Sequence, residues 1–177
     1  VTVAVASNFL PTAEKIAETF EAETGHEVVL TNGSTGLLFA QISAGAPFDV
    51  FLSADEERPR LLQEAGRAID TQPYAIGAVA LLSQEPVDIE TAGDVFLGKT
   101  AALADPTVAP YGRAATRALE ALALDTATFR PVLVANVGQV AAIFATGNAD
   151  LAFVAVAPLY RLPAPPVFPL YDIPPAV

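Results

Sequence analysis

This chain contains no cysteine, one histidine and two lysines, Lys15 and Lys99, among 177 residues. Without cysteine there is no disulfide framework, no thiolate-bound metal and no lipid-modified thiol. The single His26 excludes a multi-histidine zinc site, and no protein-ligated metal is expected. Nine basic against twenty acidic residues leave a formal net charge of −11. Nucleic acid and anionic membrane surfaces are therefore excluded as expected partners, because phosphate recognition runs on Lys and Arg. No run approaches the roughly 18 apolar residues needed to span a bilayer. The longest candidates, Ala75 to Leu82 and Leu151 to Tyr160, read as buried strands, and no direct membrane insertion is expected. Val1 opens the chain with no basic region or apolar core before it, so a processed or trimmed N-terminus is expected, compatible with export.

What is present is an alternation of short apolar strands with helical stripes, the pattern of an α/β fold with mainly parallel sheets. Thr2 to Ala6 reads as a strand, and Ala13, Ile16, Ala17 and Phe20 then recur at i, i+3, i+4 and i+7 as the buried stripe of a helix. Val28 to Leu30 is the next strand, with Leu38 and Ile42 on a helix opening near Ser34. Asp49 to Leu52 follows, and Ser53 with Glu56 has capping-box spacing ahead of a helix from Asp55 to about Ala65. Ala75 to Ser83 is a long apolar strand leading into a second lobe. There, Thr91 and Asp94 repeat the capping spacing, Thr100 to Ala104 is a strand, and Gly112 to Ala123 is a helix. Val132 to Ala135 is another strand, and Val137, Val140, Ala141 and Phe144 form a last helical stripe. A length of 177 residues suffices to bury about 70% of the unfolded surface, enough for one large or two small cores. The expected division is lobe 1 over 1–76, lobe 2 over 77–157, and a connecting segment over 158–177. That segment carries seven prolines from Pro158 onward and would return to lobe 1.

Four strand-to-helix corners carry the functional signal. Ser7-Asn8 and Asn32 to Gly36 lie in the first lobe, Asp105 to Tyr111 and Asn136-Val137 in the second. A helix start leaves four N–H groups unpaired and carries roughly half a positive charge, so a tetrahedral oxyanion can be gripped there without Lys or Arg. Convergence of the four corners on one cleft is expected, outside the carboxyl ends of the strands. Duller readings stand beside this one. Ser7-Asn8 could be a helix cap, Asn32 to Gly36 an ordinary turn, and Tyr111 a core phenol. Val137 has no signal of its own.

Two other motifs are set aside. Gly93 to Thr100, GDVFLGKT, matches the phosphate-loop pattern letter for letter. Such a loop follows a strand and opens a helix, whereas here a short apolar helix is expected before a strand. Catalysis is not expected: no G-x-S-x-G elbow occurs, and His26 lies in a helix-to-strand connector.

The segments VASNF, TNGSTG, GAPFDVFLSAD, ADPTVAPYG and ANVGQ, the last followed by ATGNADLAFVA, occur in this order between Thr2 and Ala157. With them the chain resembles the periplasmic molybdate-binding proteins of ABC importers, within the type II periplasmic binding-protein superfamily. The resemblance implies a two-lobe fold with the ligand cleft between lobes, a molybdate or tungstate ligand, no cofactor, a membrane permease as partner, and a periplasmic location. Carried over residue by residue, it implies ligand contacts from Ser7, Asn8, Ser34, Thr35, Tyr111 and, through its backbone N–H, Val137. Some members place a ligand tyrosine at the end of the strand matching Leu151 to Ala155; this chain has Ala155, which leaves Tyr111 as the phenol donor. Family members continue for roughly another 50 residues that complete the first lobe. That part of the fold is expected to be absent here, with an exposed apolar face on lobe 1 and a monomer open to self-association as consequences. The alternatives are a receptor for sulfate or another tetrahedral oxyanion, and a shortened, non-binding interaction domain of the same fold.

Overall fold

The computed structural model describes residues 1–85, 92–161 and 171–173, which fall into two compact units, Val1–Ile76 and Gly77–Val177. Thr91, one of the expected capping residues, lies outside the described residues.

The first unit alternates β1 (Thr2–Ala6), α1 (Leu10–Thr24), β2 (Val29–Gly33), α2 (Thr35–Ser43), β3 (Val50–Leu52) and α3 (Glu57–Glu64). Its three strands are parallel in the order β2-β1-β3, with Ala6 level with Gly33 and Val5 level with Leu52. The apolar TVAVA run occupies the centre, and Val3 to Ala6 are buried, as a strand covered on both faces requires. Leu38 anchors α2 at 2% exposure. Helix α1 ends where Gly25 adopts φ +73° and donates its N–H to the Glu21 carbonyl, a left-handed cap that glycine adopts without strain.

The stripe expected on α1 is only partly buried. Ala13 is inside, but Ile16 is 55% and Phe20 38% exposed. Periodicity correctly marks the helix but not the burial of its stripe. The expected Ser53–Glu56 capping box does not form either. Glu56 makes no side-chain cap bond. Instead the Asp55 carboxylate accepts the Arg58 N–H at 3.1 Å, two residues further along the chain.

The second unit contains β4 (Val79–Ser83), α4 (Ala92–Phe96), β5 (Thr100–Ala104), α5 (Pro110–Ala121), β6 (Arg130–Val134), α6 (Val137–Ala145), β7 (Leu151–Ala155) and β8 (Tyr171–Ile173). The sheet order is β6-β5-β7-β4-β8. β5 runs parallel to β6 and β7, and β4 runs antiparallel to β7 and β8. The expected α/β class therefore holds, with β4 the strand that runs against the others. β8 falls within the proline-rich stretch and joins this sheet beside β4.

Ala80, Leu82, Ala102, Ala104, Val140, Phe144, Ala152 and Val154 form one apolar cluster of the second unit. Phe96 packs edge-on to Phe129 at 5.2 Å and tilted against Phe153 at 6.1 Å, aromatic contacts that add to simple area burial. The phosphate-loop look-alike has the wrong order for a nucleotide site: helix α4 takes in its first half, strand β5 begins at its last residue, Thr100, and Lys99 Nζ lies 3.5 Å from Glu85.

Candidate functional site

In a parallel sheet the loops that follow the strands lie along one edge, and in the first unit this gathers three corners. Ala6 and Gly33 end β1 and β2 in register. The next residue, Ser7, donates both its backbone N–H, at 3.1 Å, and its hydroxyl, at 3.0 Å, to the Gly33 carbonyl. Ser7 thus braces the first corner against the second. Asn8 follows, partly exposed, inside the turn before α1. Neither residue caps that helix: the N-cap is Phe9, without a side-chain cap bond. The capping explanation for Ser7-Asn8 is removed.

At the second corner Ser34 is the N-cap of α2, with φ −71° and ψ 145°, yet its side chain makes no cap bond. It is 3% exposed, and among the described residues its Oγ has no hydrogen-bond partner. An unpaired buried hydroxyl costs about 1–3 kcal/mol, so its persistence needs a reason. Thr35 beside it is 1% exposed. Its Oγ1 accepts the N–H of Ala54 at 3.1 Å, so the hydroxyl proton remains for another acceptor.

Ala54 belongs to the third corner, after β3. There Ser53 Oγ donates to the Asp55 carbonyl at 2.7 Å and accepts the Asp55 N–H at 3.1 Å. The Tyr74 hydroxyl donates to the Ser53 carbonyl at 2.6 Å, while its ring packs edge-on to Phe9 at 4.9 Å. Asp55 is ion-paired with Arg58, both largely buried, so the two charges cancel locally. Sequence reasoning missed this supporting corner. Its signal lay in the GAPFDVFLSAD segment, from which no ligand contact was drawn.

In the second unit, β5 and β6 likewise end together. The Asp105 N–H donates to the Val134 carbonyl at 2.7 Å. The Asp105 carboxylate accepts the hydroxyl of Thr107 at 2.6 Å and its N–H at 2.8 Å. Those two bonds, the hydroxyl one foremost, hold Asp105 below its ordinary pKa of 3.8. Pro110 opens α5 in the helix-compatible conformation. Gly112 lets the helix start press against the end of β5, where any Cβ would meet the Ala104 carbonyl. Tyr111, between them, is 9% exposed with its hydroxyl oxygen buried.

The start of α6 is closed reciprocally. Asn136 Oδ1 accepts the Gln139 N–H at 3.1 Å, and Gln139 Oε1 accepts the Ala135 N–H at 3.0 Å. Val137, 6% exposed, is the first residue of that helix, where amides have no partner within the helix.

The structure thus brings Ser7, Asn8, Ser34 and Thr35 together at one strand-end edge of the first unit. Tyr111 and Val137 stand at the helix starts that follow adjacent strands β5 and β6 of the second. All are neutral and can donate hydrogen bonds. No group of three or more His, Asp or Glu suited to a metal cation occurs among the described residues. No helix among them is long and apolar enough to cross a membrane.

With this arrangement of parallel βα units, the chain belongs to the bacterial extracellular solute-binding protein family, whose match extends over residues 1–177. Among curated proteins it is 40% identical to the molybdate-binding protein ModA of Azotobacter vinelandii over 167 residues, 91% of this chain and 66% of that one. It is also 40% identical to ModA of Rhodobacter capsulatus over 163 residues, 88% of this chain and 64% of that one. The chain therefore spans slightly less than two thirds of these relatives. The solved periplasmic molybdate-binding protein of Azotobacter vinelandii superposes with a TM-score of 0.79 at 42% identity, covering 88% of this chain and 71% of that one. The resemblance stated from the sequence segments is confirmed at the level of family and fold.

Proposed function

We propose that this chain captures molybdate or tungstate and delivers it to the membrane permease of an ABC importer, acting in the periplasm as a binding protein and not as an enzyme. The buried hydroxyl of Ser34 carries the reading: it stands at a helix start, caps nothing, and has no partner among the described residues. Relatives 40% identical over most of the chain are named for molybdate binding, which supports the choice of ligand.

The donor set is Ser7, Asn8, Ser34 and Thr35 from the first unit with Tyr111 and the Val137 amide from the second. Thr35 has its hydroxyl proton available because Ala54 occupies its oxygen. On binding, the Ser7 hydroxyl turns from the Gly33 carbonyl and donates its hydrogen bond to the anion instead. Hydrogen bonds to a charged group contribute about 1.5 kcal/mol or more each, so roughly five or six approach the 8 kcal/mol of micromolar binding before association costs. The acidity of the whole chain does not prevent this, because remote surface charges are screened over about 8 Å at physiological salt.

A set in which every member donates also selects. A fully ionised dianion offers acceptors to every donor, whereas the O–H of a protonated phosphate is met only if one hydroxyl or the Asn8 carboxamide turns round to accept, at the loss of that donor. Sulfate shares the charge and shape of molybdate, so its rejection rests on size. Competition of sulfate and phosphate against bound molybdate tests this: phosphate displacing molybdate at comparable concentration excludes a site in which every member donates.

A further inference from the structure

We propose that Gly77 is a positioning residue for the Tyr111 phenol, its missing side chain leaving the space in which the hydroxyl is seated. Gly77 and Tyr111 both lie in the second unit. A Cβ built on Gly77 would meet the Tyr111 hydroxyl oxygen well inside contact distance and would lie 3.3 Å from its Cζ. Gly77 does not adopt the left-handed conformation: the positive-φ glycines are Gly25, Gly45, Gly66, Gly98 and Gly147. Backbone freedom is therefore not what this position requires. Space is, and one tyrosine takes it.

Tyr111 has little freedom to retreat. Pro110 fixes the backbone before it, and Gly112 presses the helix start against the Ala104 carbonyl behind it. With its backbone held at both neighbours and its side chain 9% exposed, the ring is set by what surrounds its tip. An alanine at 77 would push the hydroxyl oxygen off its seat, and because that oxygen is fixed in the ring plane the whole ring must tilt with it; the oxygen carries the severe overlap and Cζ, at 3.3 Å, a tight contact. Gly77 thereby decides where this phenol donates. The claim about affinity rests on the proposed oxyanion site, while the claim about the contact does not.

The test is a cycle of parent, Gly77→Ala, Tyr111→Phe and the double variant, each followed by thermal unfolding and by titration with sodium molybdate. Gly77→Ala is expected to unfold at a lower temperature than the parent. Adding Tyr111→Phe, which removes the oxygen in overlap, is expected to return most of that loss. Gly77→Ala and Tyr111→Phe are each expected to weaken molybdate binding by about tenfold or more, the scale of one hydrogen bond to an anion. The double variant is expected to bind no more weakly than Tyr111→Phe alone. An unchanged melting temperature in Gly77→Ala, or a double variant as destabilised as Gly77→Ala, overturns the positioning role. Rescue of stability in a parent that binds no molybdate supports the contact and overturns the oxyanion reading instead. If Gly77→Ala fails to fold while the double variant folds, the contact is supported; if both fail to fold, it is overturned.

Discussion

The backbone N–H of Ala54 donates to the hydroxyl oxygen of Thr35 at 3.1 Å, joining the corner after β3 to the start of α2. The bond fixes which way a buried hydroxyl can donate, since one of its acceptor sites is filled and its single proton is left over. A support bond in one loop thus prepares a donor in another.

Replacing Thr35 by Val removes both halves of that arrangement. The Ala54 N–H is left without its acceptor, for which about 1–3 kcal/mol of stability is expected to be lost, and molybdate affinity falls as well. Thr35→Ser keeps the hydroxyl and is expected to retain most of both. Chemical denaturation with parallel titration measures the two effects separately.

Ser34→Ala behaves in the opposite sense for stability. The hydroxyl has no partner among the described residues, so its removal is expected to leave the unliganded protein as stable or slightly more so. Affinity for molybdate is expected to fall about tenfold or more, the equivalent of one charge-assisted hydrogen bond. A variant that loses stability but keeps its affinity contradicts the role given to this residue.

Ile16→Lys is expected to change stability by no more than about 0.5 kcal/mol, as at a surface site. Were the residue in the core, as helical periodicity alone predicts, truncating or charging it would cost about 2–5 kcal/mol. Its 55% exposure decides between the two. Urea denaturation of the single variant reads the difference.

Acid sensitivity follows from two carboxylates. Asp49 is held below its ordinary 3.8 chiefly by the Thr2 N–H, at 2.7 Å, and then by the Thr2 hydroxyl. Asp105 is held down by Thr107. With the folded pKa depressed, the unfolded chain binds more protons as pH falls past 3.8. Their contribution to stability is thus fully present above that value and lost as pH falls through the folded pKa. Asp49→Asn is expected to flatten this part of the stability profile. Molybdate affinity, by contrast, is expected to stay level between about pH 6 and pH 8, because the neutral hydroxyl, carboxamide and backbone donors do not titrate there.

Much of the fold was legible because strand-to-helix alternation is written in local periodicity: Val3 to Ala6, Leu38, Val140 and Phe144 are buried where the pattern places them. Ile16 and Phe20 were not, because a stripe specifies a face and not what packs against it. The reversed direction of β4 was equally hidden, since an apolar strand reads the same in either direction. For the site, helix starts could be located from caps and turns, and family segments singled out Tyr111 and Val137. The Thr35–Ala54 bond and the space above Gly77 join residues far apart in sequence, and no spacing rule reports them.

Calorimetric titration of the 177-residue chain with molybdate, tungstate, sulfate and phosphate in separate runs tests the central claim most directly. One-to-one binding of molybdate and tungstate at micromolar concentration or below, with no measurable heat from sulfate or phosphate, is the expected result. Silence toward all four anions, or phosphate binding as tightly as molybdate, would contradict it.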